Sequence, residues 1–279
     1  MRTLAVDPAA ISLNSIAFST PIPSEAPRRI VSLIPSVTEI LFALGLGDRV
    51  VARSAWCDYP PEVLSLPSVG RQQELSAEKI ADFRPDLVVS WAHLPDLSRS
   101  LREVFRLNVV TPETESREQV LAGIASVAAA AKVPERGAAL IAAMQSGLEA
   151  VRARYANVPK QRVLVVLDRN PLFAPGRASF LDELLGTVGA VNPAASADGP
   201  AWLQFSAEKI LDWNPDVIID LSLGDAGAAA EAASYWARFP ETPAVRNGRV
   251  LTAAAGVIVR PGPRMAGVAA MLGRWIHEP

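Results

Sequence analysis

The stretch Ser76-Ala77-Glu78-Lys79-Ile80, followed by Asp82, Pro85 and Asp86, recurs 130 residues later as Ser206-Ala207-Glu208-Lys209-Ile210, followed by Asp212, Pro215 and Asp216. Each copy runs into an apolar β-type segment, Leu87-Val88-Val89 in one and Val217-Ile218-Ile219 in the other. The offset is close to half of the 279 residues, so the chain reads as two similar α/β lobes in tandem. Two lobes imply a cleft, and a cleft implies a captured ligand.

Outward from the repeat, strands and helices alternate. Arg29 to Ile34 reads as a buried strand stopped by Pro35, and Ser36-Val37-Thr38-Glu39 matches a capping box opening a helix through about Leu44. Gly45 and Gly47 end that helix, and Val50-Val51-Ala52 starts the next strand. This alternation marks a parallel sheet. The longest helical pattern spans Pro134 to Asn157, with Leu140, Met144, Leu148, Val151 and Tyr155 on one stripe. At 1.5 Å per residue it reaches roughly 36 Å, enough to join both lobes as a stiff connector. The expected fold class is therefore α/β: two lobes with central, mainly parallel sheets flanked by helices, joined by one long α-helix. The expected divisions are an N-terminal segment over 1–27 with a hairpin or edge strand at 11–23, a lobe over 28–132, the connecting helix over 133–158, and a second lobe over 159–279.

Composition excludes several functions. Half the residues are apolar, a fifth are charged and the net charge is −2, so the basic footprint of a nucleic-acid binder is missing. Cys57 alone forms no intrachain disulfide, and His93 and His277 supply no metal-ligand spacing, so no metal site and no cofactor of its own is expected. No apolar run approaches the roughly 18 residues that span a bilayer, and Leu121 to Ala131 reads as a buried helix. Asp7 and Pro8 interrupt the N-terminal apolar residues, so no export signal is visible. Gly45-Leu46-Gly47 lacks the third glycine of a dinucleotide fingerprint, and no phosphate-cradling glycine–lysine loop or nucleophile elbow occurs. Cys57 with His93 makes a poor nucleophile–base pair and reads better as a buried thiol. No catalytic residue is expected.

The ordered set Arg29-Ile30-Val31-Ser32-Leu33, Pro35-Ser36 with Thr38-Glu39, Asp58-Tyr59-Pro60-Pro61 and the paired Pro-Asp segments resembles one family. It is the helical-backbone periplasmic binding proteins of ABC importers for vitamin B12, iron–siderophores and haem, and the chain is most like the cobalamin branch. The resemblance covers Arg28 to the C-terminus. It implies a monomer that captures cobalamin or a related corrinoid between the lobes and docks on an ABC permease dimer outside the cytoplasm. It further implies docking through Glu78 and Glu208, although an acid in the first turn of a helix is also stabilised by the helix dipole. It implies ligand contacts from Trp56, Trp91, Phe173 and Trp202, with Trp213, Trp236 and Trp275 read as ordinary packing residues. Arg260, in a loop before the last helix, is implied as a donor to ligand oxygens, with Arg264 inside the helix. B12 binders of the family carry an acid near position 256 and a tryptophan near 71–73; here these positions are Gly256 and Arg71-Gln72-Gln73. An iron–siderophore or haem ligand therefore stays open, as does a cytosolic corrinoid-handling protein or enzyme on the same fold.

Overall fold

The computed structural model describes residues 2–4, 6, 11, 18, 21–222 and 228–278. The chain forms two compact units. One comprises Leu13–Gln145 with Arg260–Arg264, and the other Met1–Ser12, Ser146–Val259 and Met265–Pro279. They are called the N-terminal and C-terminal units below.

The N-terminal unit is built on a four-stranded parallel sheet in the order Val50–Arg53, Ile30–Ser32, Leu87–Val89, Val109–Val110. Every residue of Ile30–Ser32 and Leu87–Val89 is buried, as expected for strands covered on both faces. Val31, Leu33, Ile80, Val88 and Leu101 form the core between sheet and helices. The first helix, Pro35–Ala43, corrects the expected capping box. It begins at Pro35, whose missing N–H suits a first-turn position, and no side chain caps it. Thr38 Oγ instead bonds Ile34 O at 3.1 Å and Ser32 Oγ at 2.8 Å, and Glu39 is buried against arginine. Gly45, at φ +73°, closes the helix in the left-handed conformation that glycine tolerates. The helix Arg117–Ala130 carries the capping box that the sequence reading did not place, between Ser116 and Gln119.

The C-terminal unit has a five-stranded parallel sheet in the order Arg2–Thr3, Val250–Thr252, Val217–Asp220, Gln161–Val166, Ala190–Val191. A second, antiparallel sheet of Trp202–Gln204, Leu172–Pro175 and Asp168–Arg169 lies beside it. Leu164, Leu172, Ile210, Trp213, Ile218 and Trp236 belong to its core, while Trp275 is half-buried. An edge strand forms at Arg2–Thr3, and most of the segment 11–23 lies outside the described residues.

The helix Pro134–Arg154 has 21 residues, three fewer than its sequence pattern suggests, and the boundary between the units falls within it. Leu140, Met144, Leu148 and Tyr155 of its stripe are buried, and Val151 is half-buried. No helix among the described residues is long and apolar enough to cross a membrane.

The repeat has a physical basis in each unit. Ile80 and Ile210 are fully buried, and the chain turns away after the helices that hold them through Arg84 and Asn214, both left-handed with φ of 46° and 45°. Asp86 accepts the backbone N–H groups of Arg28 and Arg29 at 2.8 and 2.9 Å. Asp216 accepts the N–H of Arg162 at 2.8 Å and also its guanidinium. Each aspartate thus ties the repeat to the neighbouring parallel strand.

Candidate functional site

In the N-terminal unit the loops after the strands Val50–Arg53 and Leu87–Val89 carry Trp56 and Trp91, at the carboxyl edge where α/β sheets place ligands. Trp56 is 53 % exposed, and its neighbour Cys57 is fully buried. The Cys57 thiol lies 3.3 Å from Ser54 Oγ, and burial pushes its pKa up, so it stays protonated. Trp91 is half-buried with its ring centroid 6.0 Å from that of His93, whose Nε2 is 2.9 Å from the Gln72 amide.

Arg260 sits in this same unit, although sequence order puts it in the second half. Its two terminal nitrogens meet the Asp58 carboxylate, with Nη2 to Oδ2 at 2.8 Å, and Nη1 is 3.7 Å from Glu39 Oε1. Arg264, expected inside the helix, precedes it and forms a bidentate pair with Glu39, with Nε to Oε2 at 2.8 Å. Its guanidinium lies 3.8 Å from the Tyr59 ring centroid. Four charges therefore alternate in sign: Arg264, Glu39, Arg260, Asp58. Burial pushes the Glu39 carboxyl up, against the bonds and charges of the two arginines. Burial also acts to raise Asp58, but the Arg260 hydrogen bond and charge outweigh it and hold that carboxyl below its ordinary value. Arg260 is raised: burial works against its charge, and Asp58 and Glu39 more than offset it.

In the C-terminal unit Phe173 and Trp202 lie on adjacent antiparallel strands, Phe173 opposite Gln204 and Trp202 opposite Pro175. Paired residues share a face, so both aromatics share the side opposite Leu172, Ala174 and Leu203, which pack into the core. Both are half-buried, and Trp202 meets the edge of Phe180 at 5.8 Å. Glu78 and Glu208 are exposed in the first turns of short helices. Ser76 caps the first by accepting from Lys79 N at 3.2 Å. Ser206 does not cap the second, and its hydroxyl holds the Glu208 carboxyl below its ordinary value.

The structure thus gathers Trp56, Trp91 and Arg260 in one unit and Phe173 and Trp202 in the other. The sequence reading missed Glu39 and Arg264 as a pair. The available signal was a carboxylate on a helix whose other positions are nearly all apolar or small.

The chain matches the family model described as Periplasmic binding protein over residues 30–255. It is 30% identical over 246 residues to a vitamin B12-binding protein of Vibrio cholerae, covering 88% of this chain and 86% of that one. It is equally 30% identical over 249 residues to an uncharacterized ABC transporter substrate-binding lipoprotein of Bacillus subtilis, covering 86% and 76%. Among solved structures, a periplasmic heme-binding protein from Roseiflexus superposes with TM-score 0.78 at 28% identity, covering 90% of this chain and 98% of that one. The periplasmic vitamin B12 binding protein of Vibrio cholerae gives 0.73 at 28%, covering 90% and 97%. The chain belongs to the periplasmic binding protein family, whose members are substrate-binding transport proteins.

Proposed function

We propose that the protein captures a corrinoid-like metal chelate outside the cytoplasm and delivers it to an ABC permease, with Glu78 and Glu208 as the docking contacts. The observation that carries the reading is aromatic surface left open on both units: Trp56 and Trp91 on one, Phe173 and Trp202 on the other. Burying an aromatic side chain stabilises by about 1.5–3 kcal/mol, so the pair on each unit offers a large flat ligand apolar contact without a covalent bond. The vitamin B12-binding relatives support cobalamin as the first ligand to test. Each terminal nitrogen of Arg260 gives one N–H to Asp58, so its remaining N–H groups are the donors left for a ligand oxygen.

Haem is the second reading. It is favoured by the exposed His93 imidazole beside Trp91 and by the heme-binding structural neighbour.

The test is titration with cyanocobalamin, haemin and a ferric siderophore, followed by Trp fluorescence and the ligand's visible spectrum. Saturable quenching by a corrinoid supports the reading. Binding of haemin or the siderophore with no corrinoid bound at high micromolar concentration overturns the corrinoid assignment.

A further inference from the structure

A cavity of about 430 Å³ in the C-terminal unit is lined by Asp168, Arg169, Ser222, Glu231, Tyr235 and Arg238, among others. Asp168 and Arg169 follow the strand Gln161–Val166, and Ser222 follows Val217–Asp220, so the cavity opens at the carboxyl end of the parallel sheet. Its volume lies within the range of small-molecule sites, about 300–1,000 Å³.

Arg169 is fixed from below. Its Nε donates to Ser222 Oγ at 2.7 Å and lies 3.5 Å from Asp220 Oδ2, and its side chain is 14% exposed. Asp220 is fully buried and also accepts from Trp236 Nε1 at 2.7 Å and from both the N–H and the hydroxyl of Ser222. Its acceptor positions are therefore filled. The two terminal amino groups of Arg169 have no hydrogen-bond partner among the described residues. The guanidinium groups of Arg169 and Arg238 lie 5.8 and 5.2 Å from the Tyr235 ring centroid. Burial keeps its phenol protonated and thus a donor.

Against these donors stand the exposed carboxylates of Asp168 and Glu231. The lining therefore carries two cations and two anions. A carboxylate entering it meets like charge at the acids, and an ammonium meets like charge at the arginines. A primary carboxamide carries no charge and both donates and accepts, so it satisfies both sets.

We propose that this cavity takes a primary carboxamide arm of the ligand, with Arg169 donating to the amide oxygen and Asp168 or Glu231 accepting from its NH2. The same two carboxylates exclude ionised carboxylate arms. Corrinoids carry carboxamides around the ring, whereas haem carries propionates, so the cavity selects for the corrinoid. The inference rests on the reading of the ligand as a metal chelate.

Affinities are measured by fluorescence titration for dicyanocobinamide, whose arms are carboxamides, for dicyanocobyrinic acid, whose arms are carboxylates, and for haemin. The wild type should prefer the amide form by about tenfold or more, as opposed like charges in an interface suppress wrong partners. Asp168→Asn with Glu231→Gln should tighten the acid form and, by removing the charged acceptors of the amide NH2, weaken the amide form, so that the amide-to-acid affinity ratio falls about tenfold or more. Arg169→Gln should weaken the amide form. If Arg169→Gln does not fold, the double variant at the two exposed acids carries the test. Equal or tighter wild-type binding of the acid form or haemin keeps the chelate reading and overturns the amide subsite. An unchanged amide-to-acid ratio in the double variant overturns it too. Failure to bind any of the three overturns both.

Discussion

Replacing Glu39 should damage the N-terminal unit more than any exposed charge change, because its carboxylate and the Arg264 guanidinium are 1% and 2% exposed. Removing one partner of a buried pair leaves the other charge uncompensated, at a cost of about 3–5 kcal/mol. Glu39→Gln keeps one acceptor for Arg264, and the Tyr59 ring at 3.8 Å still stabilises the cation. The lower end, about 3 kcal/mol, is therefore expected for Gln and the upper end for Ala. Arg264→Met should cost less than Glu39→Ala, since Arg260 Nη1 is only 3.7 Å from Glu39 and remains as a partner. The double change Glu39→Met with Arg264→Met should recover to within about 1 kcal/mol of wild type, because apolar replacement of both partners removes the desolvation cost with the attraction. With a urea slope of about 1–3 kcal/mol per molar, a loss of 3 kcal/mol moves the midpoint by roughly 1–3 M. Two compact units can unfold separately. The assay is therefore urea unfolding joined to hydrogen exchange on peptides covering 35–59 and 260–264. Single changes costing under about 1 kcal/mol, or a double variant worse than either single, would refute the reasoning.

The other expectations are narrower. The Arg162 hydrogen bond holds the Asp216 carboxyl below its ordinary value of 3.8. Its folded pKa is thus below the unfolded one, so the contribution is full above that value and is lost as pH falls through the folded pKa. Asp216→Asn should cost about 1–2 kcal/mol at neutral pH, discounted for partial exposure, and far less in acid; equal loss at both would count against this pairing. Ser76→Ala should cost about 1 kcal/mol through its cap, and Ser206→Ala clearly less, read by parallel urea melts. Charge reversal at both Glu78 and Glu208 should leave ligand affinity unchanged and abolish uptake in cells; normal uptake removes the docking assignment. Gly273→Ala should disturb the last helix, because an added Cβ would lie 2.3 Å from the Tyr155 ring, and the near-UV spectrum would show it.

Local periodicity made much of the fold legible. The buried strand at Ile30, the Gly45 helix end and the stripe from Leu140 to Tyr155 each depend on neighbours within a few residues. What sequence could not show was pairing across long separations. Glu39 and Arg264 are 225 residues apart and Asp58 and Arg260 are 202 apart, so no window links them. A local rule therefore assigned Glu39 to a capping box. Identical residues also differ between the copies: Ser76 caps its helix, whereas the second helix starts one residue later in the repeat, with Ala207 at its N-cap and no side-chain cap.

The repeat separates what the fold requires from what it leaves unexplained. Ile80 and Ile210 fill cores, and Asp86 and Asp216 hold the next strand by backbone donors. The residues at 84 and 214 turn the chain through the left-handed region. Each of these would recur in any two units built on one plan, so their recurrence says nothing about function. Glu78 and Glu208 differ. Both are exposed, and the helix starts around them differ between the copies: a serine cap in one and no side-chain cap in the other. The serine cap is not shared, but the first-turn position, where the helix dipole stabilises an acid, is common to both. Dipole stabilisation and docking on a partner make opposite predictions for uptake, and for that reason the paired charge reversal is the variant that separates them.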